Sequence, residues 1–387
     1  MDANQLLEQV KAIGAQADEN TRIKIIDALL ETITHLETPI QYLLRLSGSH
    51  LQMATARFGV DIGLFRALVA SSTPLSTSTL SKQLKVNEVL LGRLIRYMGA
   101  TNQVQETGVG EYTANHITKI LAVDTVASAV HHLFDTHEPT FQDLPNFLQE
   151  HKYQNITDST NTVFQKSFKT DQRCYEWLIQ HPEPFTHMQK TLENDLSGDW
   201  LTAFPIDKET ENWSGRSDPE RTLFIDVGGG LGQQAIRLRE KFPNVPGRVV
   251  LQDLAETIGL VKQPMPGGVE AQVTNFYEPQ TVKGAKYYYM RNVLHGDPDE
   301  KCITILKSIL PAMDSESVLL IDDLVLPDEG IHWQSSQYDL VMMMSMSALK
   351  RTRSQWYNLL DASGYKIVEI RTYSYPLGDS LIFAVPK

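Results

Sequence analysis

TLFIDVGGGLGQQAIRLREKF, residues 222–242, decides the fold. An apolar run from Leu223 to Val227, with Asp226 near its end, passes through a glycine cluster straight into a helical pattern. Glycines at such a junction let the chain turn tightly and approach a ligand, and the amides of the helix start point at it. The spacing is acid-x-Gly-x-Gly-x-Gly, on Asp226, Gly228, Gly230 and Gly232. A dinucleotide fingerprint would place Gly or Ala at Gln233. An acid at position 226 would oppose a pyrophosphate but suits a cationic ligand.

Downstream, strand and helix patterns alternate. RTLFIDV, RVVLQD, VEAQVTNF, KYYYMRNV, SVLLIDDLVL, KIVEIRTY and SLIFAVPK read as strands, with helices such as DEKCITILKSIL and SSQYDLVMMMSMSAL between them. Strands separated by helices of 10–15 residues predict an α/β domain with a mostly parallel, seven-stranded sheet. The last two strands, joined by SYPLGD, predict an antiparallel edge. The second strand ends on Asp253, 21 residues beyond Gly232, where a carboxylate hydrogen-bonds ribose hydroxyls. The third ends in Thr274-Asn275-Phe276-Tyr277, a polar and aromatic set able to hold adenine. Ribose, adenine and a positive charge together describe S-adenosylmethionine (SAM) better than NAD.

Upstream of the sheet the chain is helical. Apolar residues recur at helical spacing through residues 1–50 and need a surface to cover them, either the chain's own next domain or a partner subunit. Residues 51–120 read as helix (Ala54–Leu68), helix, helix and a small hairpin, a winged-helix layout. That segment carries seven Lys or Arg against four Asp or Glu, while the chain as a whole carries −12. Phosphate recognition needs more positive charge, so the expected role is dimerisation, with no nucleic-acid partner. Residues 121–215 form a helical, aromatic-rich substrate-pocket and linker region, so the expected domains are 1–120, 121–215 and 216–387. With 387 residues, two cysteines, no apolar run long enough for a bilayer and a polar N-terminus, the expectation is a soluble cytoplasmic enzyme, without metal or membrane association.

The sequence resembles the fungal and plant small-molecule O-methyltransferase family. The DVGGGLG loop, the DL after the second strand, RNVLHGDPDEKCITIL, LVLP after the fifth strand and KRTRSQWYNLLDASGY carry that resemblance, over essentially the whole chain. It implies a Rossmann-like class I methyltransferase domain behind a winged-helix dimerisation domain, a homodimer, and SAM bound by Asp226, Gly228, Gly230, Asp253, Leu254, Asn275, Phe276 and Arg291. It also makes His295 the family's general base, with Asp323 as one of the two acids that normally orient it. Three features depart from the pattern. The Asp-Trp after the base is replaced by Gly296-Asp297, the first acid is an Asp, and the second acid is Lys350.

Those departures resemble the leporin-type SAM-dependent pericyclases of the same fold, found among fungal pyridone alkaloid enzymes. In them a middle-region His helps bind substrate, and Val130-His131-His132-Leu133-Phe134-Asp135 resembles that segment, His132 being favoured over His131. The leading expectation is therefore a pericyclic step, such as dehydration and cycloaddition, on a polyketide-derived pyridone, with His295, Asp323, Lys350 and His132 in the site. Ordinary O-methyl transfer with His295 as base, and a non-catalytic SAM-binding subunit, stay open beside it.

Overall fold

The computed structural model describes residues 2–192 and 199–387. These divide into two compact units: residues 2–145 with 174–192, and residues 146–173 with 199–387. The helical stretch read from 121 to 215 is thus shared between the units, and its residues 193–198 lie outside the described residues.

In the first unit, local hydrogen bonding explains where the early helices begin. Asp2 and Gln5 form a reciprocal cap on Ala3–Gln16, and Asp18 accepts the Thr21 amide at the start of Glu19–Leu36. Thr38, Gln41 and a first-turn Pro39 start Pro39–Asp61. No residue of the first two helices is buried; Leu6, Leu7, Ile13, Ile26 and Leu29 are all exposed. The expected Ala54–Leu68 helix is instead two. Gly63 takes φ +72° and separates Pro39–Asp61 from Leu64–Ala70, because a left-handed residue cannot continue a right-handed helix.

Helices Thr77–Leu84 and Glu88–Ala100 follow, with strands β1 (Leu75–Ser76), β2 (Gln105–Gly108) and β3 (Glu111–Thr113) in the antiparallel order β1-β3-β2. Leu64, Phe65, Leu80, Leu91, Ile95 and Met98 close the core of this winged unit. Helix Asp124–His132 then runs into a π-helical turn, Leu133–His137, and packs against Pro182–Leu192.

The second unit is built on seven strands: β4 (Thr222–Val227), β5 (Arg248–Asp253), β6 (Glu270–Val273), β7 (Tyr287–Arg291), β8 (Val318–Leu324), β9 (Tyr365–Thr372) and β10 (Asp379–Pro386). Their order is β6-β5-β4-β7-β8-β10-β9, and only β10 runs antiparallel to its neighbours. The apolar runs are continuous because both faces are covered. Val249, Leu251, Tyr287, Tyr289 and Leu320 pack into one core, while the alternate residues Val250, Tyr288, Met290, Leu319 and Ile321 pack into the other. The third strand stops at Val273, earlier than the sequence pattern predicts. Asn275 there accepts the Tyr277 amide in a side-chain turn that ends pairing. The strand order reverses between β4 and β7, which places a ligand crevice at their carboxyl ends. Among the described residues no helix is long and apolar enough to cross a membrane.

Candidate active site

The loop after β4 is shaped as a cradle. Gly228, Gly230 and Gly232 have φ of +70°, +61° and +85°, which L side chains rarely adopt. A Cβ on Gly228 would lie 3.0 Å from Val293 and 3.4 Å from the Phe276 ring, whereas one on Gly230 would meet nothing within 4 Å. The loop therefore presses on Phe276 at one end and opens at the other. Asp253, at the end of β5, accepts the Gly230 amide at 2.9 Å and the Leu254 amide at 2.8 Å, which fixes its carboxylate beside the loop with lone pairs to spare. Leu254 is half exposed. Asn275 and Phe276 follow β6, and the Phe276 and Tyr277 rings meet edge to face at 5.0 Å.

Asp226 is buried at the end of β4, and one of its oxygens has no hydrogen-bond partner among the described residues. Burial pushes its carboxyl up to about 7, against the Ala235 amide and the Arg291 guanidinium, which favour the ionised form. An orphaned acid behind a glycine cradle, a second acid at the ribose position and an aromatic beyond it fit SAM: Gly228, Gly230, Asp253 and Phe276 would hold the nucleoside, and Asp226 its cationic end. Arg291 is less direct, since its guanidinium pairs with Asp322 at 3.1 Å. Asp253→Ala should therefore weaken SAM binding by about 1.5–3 kcal/mol, or roughly 10- to 150-fold in Kd, the range for a hydrogen bond to a charged group. Titration calorimetry giving an unchanged Kd would remove Asp253 from the cofactor site.

Beyond β7 and β8 the structure brings His295, Asp323 and Lys350 together. His295 sits in a 3-10 turn, Leu294–Gly296, and Asp323 on β8. Lys350 follows helix Trp333–Met346, which Ser347 ends in the left-handed region at φ +56°. The Asp339 carboxylate accepts the Lys350 backbone amide at 2.8 Å and so sets where the side chain starts. The Lys350 side chain is wholly buried. Its Nζ lies 2.9 Å from Asp323 Oδ1, 2.5 Å from His295 Nδ1 and 3.3 Å from Asn292 Oδ1, and 5.5 Å above the Tyr338 ring. His295 Nδ1 is 3.8 Å from Asp323 Oδ1, beyond hydrogen-bond distance. Burial alone would raise the Asp323 carboxyl. The adjoining Lys350 ammonium outweighs it and holds that carboxyl far below the usual range.

Three supporting groups were not legible as such in the sequence. Arg351 is buried and clamps the His295 turn, donating to the Leu294 carbonyl at 2.8 Å, the Asp297 carbonyl at 3.0 Å and the Asp299 carboxylate at 2.8 Å. Asp322 accepts the Tyr289 and Tyr373 hydroxyls, both at 2.6 Å, besides pairing with Arg291. Asn292, at φ +53°, supplies the third acceptor for Lys350. Only the KRT and RNV stretches could have flagged two of them, and neither shows where a side chain folds back.

His132 belongs to the first unit. There Arg57, His131, His132, Asp135, Thr136 and His187 help line a cavity of about 240 Å³. His131 stacks on His187 at 4.1 Å and lies 3.5 Å from Asp135, while His132 Nε2 is 3.2 Å from His137 Nε2. Both candidates thus line the cavity. His132 Nδ1 is buried without a hydrogen-bond partner among the described residues, and burial, with His187 nearby, lowers its imidazole to about 4. It is a neutral ring at neutral pH. No group of His, Cys, Asp and Glu able to hold a metal ion occurs among the described residues.

A glycine cradle at the switch point of this sheet, with a His beyond the next strand, defines a class I methyltransferase site. The model of the O-methyltransferase domain matches residues 220–366. O-methyltransferase dpfgI of Gibberella zeae is 46% identical over 95% of this chain and 96% of its own. O-methyltransferase lepI of Aspergillus flavus is 38% identical over 95% of both chains, and LepI solved in complex with SAM superposes with a TM-score of 0.88 at 37% identity, over 99% of this chain and 98% of that one. A further structure, described as a pericyclic reaction enzyme, matches with a TM-score of 0.87 at 37% identity, over 99% of both chains. The chain belongs to the O-methyltransferase family, whose cofactor is SAM.

Proposed function

We propose that this chain is a SAM-dependent pericyclase, carrying out a dehydration and cycloaddition type of step on a neutral, polyketide-derived pyridone without transferring the methyl group. One observation carries the reading. Where a proton-abstracting His needs a carboxylate, His295 meets the buried Lys350 ammonium, and Asp323 is already paired with that ammonium at 2.9 Å. A general base donates from its other ring nitrogen to an acceptor, and the group 2.5 Å from Nδ1 is an ammonium, which can only donate. The same arrangement suits hydrogen-bond donation to a carbonyl from a partly buried ring. SAM, when bound, supplies a fixed sulfonium charge. The chain's own residues hold that cofactor, anchor His295 through Arg351 and hold Lys350 in place through Asp323 and Asp339.

The experiment is a cofactor exchange. A synthetic pyridone bearing a polyenyl alcohol should be converted in the presence of SAM, with the SAM recovered intact. S-adenosylhomocysteine, which lacks the sulfonium charge, should occupy the same site and inhibit. Consumption of SAM with label appearing in the product would favour the second reading, O-methyl transfer. That reading has the proximity of His295 to Asp323 and the name of the dpfgI relative in its favour.

A homodimer goes with this proposal. The helices Ala3–Gln16 and Glu19–Leu36 bury none of their own residues and leave a row of exposed Leu and Ile, so a second copy of the chain is the proposed cover. Deleting residues 2–36 should give a protein that no longer elutes as a dimer. A truncated chain that keeps the native dimer mass in light scattering would refute this.

A further inference from the structure

We infer that Lys350 locks His295 as the tautomer with its proton on Nε2, so that His295 offers the substrate a hydrogen-bond donor and the substrate offers a neutral acceptor oxygen in return. The argument is a count of hydrogens. An ammonium has three N–H groups and no lone pair, so every contact it makes is a donation. Lys350 Nζ has three acceptors in reach: Asp323 Oδ1 at 2.9 Å, His295 Nδ1 at 2.5 Å and Asn292 Oδ1 at 3.3 Å. One hydrogen goes to each. Nδ1 must then carry a lone pair, and the single proton of the neutral ring resides on Nε2.

The opposite assignment needs a neutral lysine that accepts from an Nδ1–H. That would leave the Asp323 charge, fully buried and with its second oxygen unpartnered among the described residues, without its counter-ion. Asp339 and Asn292 make the lock geometric. The first fixes the backbone from which Lys350 reaches, and the second turns its carbonyl oxygen toward Nζ, so its amide hydrogens point elsewhere. Nε2 has no protein hydrogen bond among the described residues, and the ring keeps some exposure, so its N–H is left for a ligand. A general base presents the reverse polarity, an Nε2 lone pair with Nδ1–H donating to an acid. The inference rests on the proposed function only for the ligand it names, a conjugated carbonyl of the pyridone type. The tautomer follows from the protein alone.

The test is nitrogen NMR of the full-length enzyme labelled with 15N at histidine, with the His295 signals assigned by their loss in His295→Gln. At neutral pH, Nδ1 should resonate as a pyridine-type nitrogen and Nε2 as a pyrrole-type one, and Lys350→Glu should exchange the two. A proton on Nδ1 in the native protein, or on both nitrogens, overturns the inference whether or not the variant folds. A rate comparison supplies the second readout, since a Gln side chain can place an N–H near the Nε2 position but cannot act as a base. On the pyridone alcohol, His295→Gln should stay within about 10-fold of native while His295→Ala falls by roughly 10²–10³-fold, the range for losing one such donor. Equal loss in both would overturn the donor role. If methyl label reached the product while Nε2 carried the proton, the proposed function would fail and the tautomer would stand.

Discussion

Lys350→Met is expected to destabilise the second unit by about 3–5 kcal/mol, the cost of removing one partner from a buried ion pair. Both groups lie out of solvent, with side-chain exposures of 0% for Lys350 and 1% for Asp323, so water cannot replace the lost ammonium. The double variant Lys350→Met/Asp323→Leu should recover most of the loss, because an apolar pair of similar volume removes the uncompensated charge along with its partner. The effect depends on pH. In the native protein the Asp323 carboxyl is depressed, since the Lys350 ammonium outweighs burial, so its stabilisation is fully present above the unfolded value of about 4 and is lost as pH falls through the lower folded value. Without Lys350, burial acts unopposed by the ammonium and raises that carboxyl instead. The variant then loses stability as pH climbs above about 4. Thermal unfolding at pH 4 and pH 8 should show a gap between native and variant that is smaller at the lower pH and larger at the higher. A gap that does not change with pH would mean that Asp323 is not the charge Lys350 balances.

Lys350→Glu is expected to have the largest chemical effect. The substitution supplies a carboxylate to which Nδ1–H can donate, turns the Nε2 lone pair toward the substrate and stabilises an imidazolium. Conversion of the pyridone alcohol should fall by about 10²–10³-fold, as when a preorganised donor is removed. Methyl transfer from SAM to a phenolic acceptor should rise from background, and adding His295→Ala to the variant should lower it again by about 10²–10⁴-fold, the contribution of a positioned base. Methyl transfer already strong in the native protein and lowered by Lys350→Glu would mean that Lys350 serves methylation, contrary to this account.

Much of the fold could be read from the chain because its signals are local. The central strands are short apolar runs bounded by turn residues, and the cradle glycines lie within five residues of one another, so Asp226, Gly228 and Gly230 could be placed without knowing any distant contact. Asp253 followed from its place at a strand end 21 residues beyond Gly232. What was not legible depends on contacts between residues far apart in sequence. The division into units takes residues 146–173 away from their sequence neighbours, which no composition shift marks. Arg351 stands in the sequence only as part of a motif, and its role depends on carbonyls more than 50 positions earlier. The break at Gly63 is not legible because apolar spacing continues through it, and only the positive φ shows why the helix cannot.

The reaction site was half legible. The sequence shows that an acid had become Lys350, but not that its side chain is buried, nor that Asp323 and His295 Nδ1 share it. That sharing changes the meaning of the substitution. An exposed lysine near a catalytic His would merely alter the local field. A buried one with three acceptors fixes the polarity of the ring.

The most direct measurement is the number of pyridone molecules converted per SAM molecule consumed, with methyl-labelled SAM supplied at the concentration of the enzyme. A cofactor that only binds is not used up, so many turnovers should accumulate while the labelled SAM is recovered intact and the product carries no label. One labelled product per SAM, with conversion stopping when the SAM is gone, would make the chain a methyltransferase and contradict the account.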